Sequence, residues 1–328
     1  MTRQTRLFLF VAGAVLVVGL GIGLLASFMG VRLQTLTFLD PERPKELAYV
    51  SRGTKVVAFA NVRDLMDSEL RKKLLQLRPQ SLDGRVNDFE AETGISIERD
   101  IDSVVASITD RGVEQDRALV MVRGRFDQAR IEGLVRQRGG QVEEYKGQQI
   151  LTRAKDDALS LSFVEADLIA LGSADGVRRA IDTKSDAGSN VTTDDELMNL
   201  IRDVDDGNAW AVGRFAAIAT GLVPDAVSAQ LPPIDLFAVT GRVNGGIRGV
   251  VRADANSDQG VTDLREVIRG FVALARLQTS QSAELTAMLG SLQLGGEGRT
   301  VSLAFSVPPE AIEALAAMWR RGQGQAAN

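Results

Sequence analysis

The chain has 328 residues, of which 45% are hydrophobic and 25% charged, a composition ordinary for one large globular domain or two small ones. A net charge of −5, scattered lysine and arginine, and only 5% aromatic residues argue against a nucleic-acid surface. The lack of cysteine excludes disulfides, thiol nucleophiles and thiolate metal sites, and the lack of histidine excludes Ser-His-Asp triads and HExxH metal sites.

A continuous apolar segment of 23 residues, 7–29, stands near the N-terminus. As a helix it spans about 34 Å, enough to cross a hydrocarbon core of about 30 Å. Arg3 and Arg6 precede it, as in a signal anchor, and it is longer than the apolar part of a cleaved signal peptide. We therefore expect residues 1–30 to be an uncleaved, single-pass membrane anchor that contacts the lipid bilayer through residues 7–29. The C-terminal domain then lies outside the cytoplasm.

Small residues recur on one face of this anchor. Gly19, Gly23 and Ser27 are four residues apart, so two such helices could approach closely and form a homodimer. The alternative is that glycine is simply common in membrane helices.

The anchor leads into a linker, residues 31–54, in which Asp40-Pro41 and Arg43-Pro44 stop any helix from continuing. Residues 55–205 are expected to form a first folded unit. Periodicity and turn signals predict these elements there: strand 56–60, helices 62–77 and 82–93, strands 103–109 and 118–123, helix 127–138, hairpins 141–152 and 159–172, and helices 174–183 and 195–204.

A second folded unit is expected at residues 206–321, followed by a disordered tail at 322–328. The clearest local signal is the turn Asn244-Gly245-Gly246, typical of a hairpin. The predicted elements are strand 209–215, a helical stretch at 216–229, hairpin 235–253, helices 259–278 and 282–290, hairpin 291–306 and a final helix after Pro308-Pro309.

The two units have a similar order of elements, offset by about 130 residues, with Val120 matching Val250. This order suggests duplication of a β-α-β-β-α-β-β-α unit, with hairpin 141–152 as the clearest departure. The alternative is that any α+β chain repeats such an order by chance. We predict an α+β fold with antiparallel sheet covered by helices, in which the units share one sheet or enclose a cleft.

Few residues qualify as functional candidates. The acidic turn Asp203–Asn208 resembles a calcium loop, but its glycine falls at position five and Arg214 stands where the loop needs glutamate. Arg123 and Arg125 join a buried strand to a helix and are candidates for anion contact, with surface ion pairs as the alternative. No catalytic, cofactor-binding or metal-binding residue is predicted, and no cofactor.

Four segments carry a resemblance to a known group of proteins: Glu46–Val50, Asn61–Ser68, Gly124–Asp127 and Tyr145–Gly147. They resemble bacterial proteins of unknown function in which one N-terminal anchor precedes a duplicated α+β extracytoplasmic domain. The resemblance implies this architecture, with the anchor in a bacterial inner membrane and the domain in the periplasm, and brings no activity or catalytic residue with it.

Three functional hypotheses follow. The first is a non-enzymatic, membrane-tethered extracytoplasmic module that binds an envelope protein or supports an envelope assembly. The second is a ligand- or lipid-binding protein with a pocket between the two units. The third is a carboxylate-based hydrolase, which requires two acids converging in a cleft.

Overall fold

A computed structural model describes residues 44–76, 90–109, 118–152, 159–204, 206–219, 229–279 and 282–314. The predicted anchor, with Gly19, Gly23 and Ser27, lies outside the described residues, as does the predicted tail. Within the described ranges, no helix is both long enough and apolar enough to cross a membrane.

The described residues form one antiparallel sheet of twelve strands. The strands are β1 (Thr54–Asn61), β2 (Ile101–Thr109), β3 (Ala118–Gly124), β4 (Gln141–Tyr145), β5 (Gln148–Thr152), β6 (Ser160–Glu165), β7 (Leu168–Gly172), β8 (Ala209–Arg214), β9 (Ile234–Val243), β10 (Ile247–Ala255), β11 (Gln293–Gly295) and β12 (Thr300–Val307). Their order across the sheet is β11-β12-β10-β9-β8-β1-β2-β3-β7-β6-β5-β4.

Helices cover this sheet, so the predicted α+β class with a helix-covered antiparallel sheet is confirmed. They are α1 (Val62–Asp67), α2 (Glu69–Gln76), α3 (Ile97–Asp100), α4 (Gln128–Gln137), α5 (Ala174–Ser185), α6 (Asp195–Val204), α7 (Ala216–Ala219), α8 (Asp258–Thr279) and α9 (Ala283–Gly290). Residues 90–93 and 309–314 are also helical.

The first predicted helix, 62–77, is divided into α1 and α2 at Ser68. The backbone of Ser68 is extended, with φ −64° and ψ 143°. Its hydroxyl donates to the Leu65 carbonyl at 2.7 Å and accepts from the Arg71 amide at 3.3 Å. Ser68 therefore ends one helix and begins the next, a role that short polar side chains favour.

The two halves of the chain share this sheet through the pairing of β1 with β8. Val57 lies opposite Val212, and both are fully buried. On the other face, Ala60 and Ala209 are buried beneath Leu285 and neighbouring side chains. The seam is thus packed on both faces, and the halves do not enclose a cleft along it.

Strand order is the same on the two sides of this seam. Going outward, one side runs β1, β2, β3, β7, β6, and the other runs β8, β9, β10, β12, β11. The hairpin β4–β5 extends the first side to the sheet's far edge. With β4 and β5 left out of the count, each side therefore places its first, second and third strands in chain order, and then its fifth before its fourth.

The described part of the predicted linker differs from a solvated tether. Lys45–Tyr49 form a 3-10 helix, and Leu47, Tyr49 and Val50 are at most 4% exposed. The Val191 amide donates to the Val50 carbonyl at 2.7 Å. Because these apolar side chains pack into the core beside α5 and α6, the folded domain begins before Thr54.

Candidate functional site

A cavity lies on the face of the sheet formed by β9, β10 and β12. Its floor consists of two rows of side chains set side by side by the strand register: Ala238, Arg252 and Ser302 in one row, and Leu236, Asp254 and Thr300 in the other. Residues directly opposite in antiparallel strands share a face, so both rows point into the same space.

Helix α6 forms one wall of this cavity. Leu197, Ile201 and Val204 are buried, as the helical period of an amphipathic segment requires. With these three side chains buried, Leu200 and Asp203 of the same helix line the cavity wall.

The turn between β11 and β12 forms the opposite wall, through Gly296 and Glu297. Gly296 has φ +105°, and a Cβ there would lie 2.1 Å from the Thr300 carbonyl oxygen. The Gly296 carbonyl accepts a hydrogen bond from Arg265 of α8 at 2.9 Å. This wall therefore depends on glycine and is fixed in place by α8.

The cavity has a volume of about 430 Å³, within the range typical of small-molecule sites. Helix α6 belongs to the first predicted unit and the three strands to the second. The site is thus assembled from both halves, although it lies beside the seam rather than along it.

One guanidinium and three carboxylates line this space: Arg252 against Asp203, Asp254 and Glu297. Arg252 pairs with Asp203 at 3.3 Å, and Thr300 donates to Asp254 at 2.6 Å. The lining has a formal charge of −2, so it favours a positively charged group over an anion.

The hydrogen bonds and ion pairs of these carboxylates also decide whether they are available for catalysis. Asp203 is engaged by Arg252 and Asp254 by Thr300, so two of the three carboxylates that line the cavity already have partners. Within the described residues, no group of three or more acidic side chains is placed to hold a metal ion. The arrangement suits binding by charge and shape better than proton transfer.

The structure surrounds Arg123 with acids of the chain itself. Its guanidinium donates to Glu46, donates to Asp167 at 2.6 Å, and forms an ion pair with Glu165 at 3.2 Å. Burial opposes the charge on Arg123, but the hydrogen bonds to Glu46 and Asp167 outweigh it and raise its pKa. An external anion would have to compete with three carboxylates.

Tyr49 extends this cluster. Its hydroxyl donates to Glu165 at 2.9 Å, and Lys184 lies over its ring at 4.9 Å. Burial and the bond to Glu165 raise the pKa of Tyr49. The cluster fixes residues 46–49 to β3 and β6, which gives Arg123 a structural role.

Arg125 lies apart from this cluster. Its side chain is 60% exposed and pairs with Asp100 at 3.9 Å. The two predicted anion-contact residues are therefore not brought together around one site.

The acidic turn Asp203–Asn208 is held by the second unit's strands. Asn208 exchanges two hydrogen bonds with the Val243 backbone, at 2.8 and 2.9 Å, and Arg242 donates to the Asp206 carbonyl. These bonds give the turn a structural role, and among its described residues Asp203 lines the cavity.

Sequence reasoning missed most of the cavity. The available signal was the pair of polar residues two positions apart in each of β10 and β12, Arg252 with Asp254 and Thr300 with Ser302. Such alternation predicts a half-buried strand, but it does not show which strands lie next to each other.

The chain has few matches among known proteins. No protein-family model matches the chain, and no curated protein matches it. Among solved structures, the chain is similar to one described as "Structure of crystal form I of TP0453", at 9% sequence identity, with 86% of this chain and 99% of that chain covered and a TM-score of 0.43. A likeness at this level carries no conclusion about the chain.

Proposed function

We propose that the chain is a non-enzymatic binding module tethered to a bacterial inner membrane. Residues 7–29 are its anchor, the N-terminus is cytoplasmic, and the folded domain lies in the periplasm. The 23 apolar residues after Arg3 and Arg6 support the anchor. The spacing of Gly19, Gly23 and Ser27 supports a paired anchor, and hence a homodimer in the membrane.

We also propose that residues 55–205 and 206–321 descend from one duplicated α+β unit. The repeated strand order on the two sides of the β1–β8 seam supports this proposal. In both halves a helix follows the third strand, α4 in the first and α8 in the second. Hairpin β4–β5 is an addition to the first copy.

The observation that carries the binding function is the open, polar face of β10 and β12. The opposite face of these strands is buried under α8, where Val261 and Leu264 pack against Val301. On the open face, Arg248 is exposed and Arg252 is 39% exposed. A polar sheet face with a cavity beside it suits contact with an envelope protein.

The test is purification of the full-length protein from membranes after cross-linking. Ser302→Trp fills the cavity, and Thr262→Trp adds the same bulk to an exposed position on α8. The same partner should be recovered with the wild type and Thr262→Trp and be lost with Ser302→Trp. Recovery of no stable partner, from membranes or from soluble envelope extract, would contradict the proposal.

A second candidate is a small-ligand site in the same cavity. The charge of −2 favours a cation, and the acidic lining disfavours a lipid chain. Arginine amide should raise the melting temperature of the full-length protein, whereas citrulline amide, its neutral counterpart, should not. Equal responses to both probes, or a response retained in Ser302→Trp, would reject this candidate.

A further inference from the structure

Strand β4 lies at one end of the twelve-stranded sheet. It pairs with β5 on one side, and in the described part of the chain no strand pairs with it on the other. Residues 141–144 are all exposed. An edge of this kind presents backbone donors and acceptors to which another chain can add.

The turn of the hairpin determines which groups face outward. Lys146 and Gly147 form a two-residue turn, with φ values of +50° and +80°. In such hairpins the flanking pair, Tyr145 with Gln148, exchanges hydrogen bonds, and bonded pairs then alternate along the strands. Val142 and Glu144 therefore direct their N–H and C=O groups away from β5.

Helix α5 holds this edge in a fixed position. Arg178 pairs with Glu143, and Tyr145 donates to Asp182 at 3.0 Å. Lys146 also reaches Asp182, at 2.6 Å. The edge is ordered before anything binds, which lowers the entropy cost of adding a strand.

Charge at this edge favours a basic occupant. Among the described residues, the Glu144 carboxylate makes no hydrogen bond or ion pair, and Val142 is 38% exposed beside it. Side chains alternate between the two faces of a strand, so Glu144 lies on the face away from α5. On the α5 face, Glu143, Asp175 and Asp182 outnumber Lys146 and Arg178 by one charge.

Charge disfavours two of the registers in which a second copy of this chain could pair with this edge. Antiparallel self-pairing centred on Glu143 sets that residue opposite its own copy, and centring on Glu144 does the same there. Like charges directly opposite each other destabilise a strand pair.

The other end of the sheet is closed to such pairing. Strand β11 has only three residues, and the Ser291 hydroxyl accepts from the Ser306 amide at 3.0 Å and donates to its carbonyl at 2.9 Å. A side chain thus occupies the backbone groups of β12 beyond β11. Among the described residues, no side chain occupies the outward backbone groups of β4 in this way.

We propose that β4 docks an extended segment of a partner protein in which basic and apolar residues alternate. The segment pairs with the outward backbone groups of Val142 and Glu144, and its basic side chains lie beside Glu144. This inference rests on the proposed binding function and adds to the face of β10 and β12 a second contact surface for the same partner, at the other end of the sheet.

The test is fluorescence anisotropy with the full-length protein in detergent and a labelled Lys-Val-Lys-Val-Lys-Val-Lys peptide. Glu144→Pro removes an outward N–H at a position where an edge strand tolerates proline, and Glu144→Gln removes only the charge. Saturable binding is expected to weaken about tenfold in Glu144→Pro and about twofold to threefold in Glu144→Gln. A Glu-Val peptide of the same length should not bind.

Three results would overturn the inference: no saturable binding to the wild type below 1 mM, equal affinity for wild type and Glu144→Pro, or a change of oligomeric state in Glu144→Pro. The last would assign the edge to a second copy. If the cross-linked partner survives Glu144→Pro, the edge proposal fails and the binding function stands. If the peptide binds but no partner is recovered, the edge proposal stands and the proposed binding function fails.

Discussion

Phe59 of β1 and Trp210 of β8 lie directly opposite each other in the sheet, with ring centroids 5.6 Å apart. The pair sits on the seam between the two halves, and Trp210 is 2% exposed. Because the sheet is continuous there, we expect loss of this contact to affect both halves together.

Trp210→Ala should therefore lower the free energy of unfolding by about 3–5 kcal/mol in a single transition. Trp210→Phe should cost less, because it keeps an aromatic ring and removes an indole N–H that has no hydrogen-bond partner among the described residues. Urea unfolding followed by circular dichroism measures both variants. Two separate transitions, or a loss below 1 kcal/mol for the alanine variant, would count against a shared core.

Arg123→Met should destabilise the protein by about 3 kcal/mol, because it leaves the buried Glu46 carboxylate without its cation. Arg125→Met is the matched control, since its side chain is 60% exposed and should change stability by less than about 0.5 kcal/mol. The same urea titration compares them. Equal effects would mean that the Arg123 cluster does not fix residues 46–49 to the sheet.

Stability should depend on pH through Asp182. Hydrogen bonds from Lys146 and Tyr145 lower the pKa of Asp182 below its ordinary value of 3.8, and burial opposes this only in part. A lowered pKa contributes stability that is present above about pH 4 and is lost as the pH falls through the folded-state pKa.

The free energy of unfolding of the wild type should thus exceed that of Asp182→Asn by a few tenths of a kcal/mol at neutral pH, and the difference should disappear in acid. The effect is small because the Asp182 side chain is 44% exposed. Thermal unfolding between pH 2 and 7 measures it. A difference that stays constant with pH would show that Asp182 acts through its shape alone.

Gly296→Ala should deform the cavity wall. The added Cβ would meet the Thr300 carbonyl oxygen, and the backbone has a left-handed φ that alanine disfavours. We expect a loss of more than about 1 kcal/mol in stability. Gly298→Ala is the matched control, because Gly298 has the same type of φ but open space where a Cβ would lie. A larger loss of stability in Gly298→Ala than in Gly296→Ala would contradict the role given to Gly296 in the cavity wall.

Local elements were predictable because their signals are local. Alternation around Lys146-Gly147 gave the hairpin 141–152 with the bounds of β4 and β5. Helix 174–183 was predictable as α5, which Ser173, a residue type that favours this position, caps by accepting from the Gly176 amide. The break at Ser68 was not predicted, because the apolar period of residues 62–77 continues across it.

Non-local pairing was the part that the sequence could not supply. The contact of β3 with β7 and that of β1 with β8 depend on which buried faces meet, and many pairings satisfy the same alternation. The cavity follows from such pairing, so Arg252 and Ser302 could not be assigned to one site. The role of Arg123 could not be assigned from the sequence either, because Glu46, to which it donates a hydrogen bond, is 77 residues away in the chain.

The central claim, a binding domain held outside the cytoplasm by residues 7–29, is tested most directly by the location of a C-terminal tag. Full-length protein should remain in membranes after an alkaline wash, and protease added to intact spheroplasts should remove the tag. Deletion of residues 7–29 should move the protein to the soluble fraction. Full-length protein in the soluble fraction, or a tag digested only after lysis, would contradict the claim.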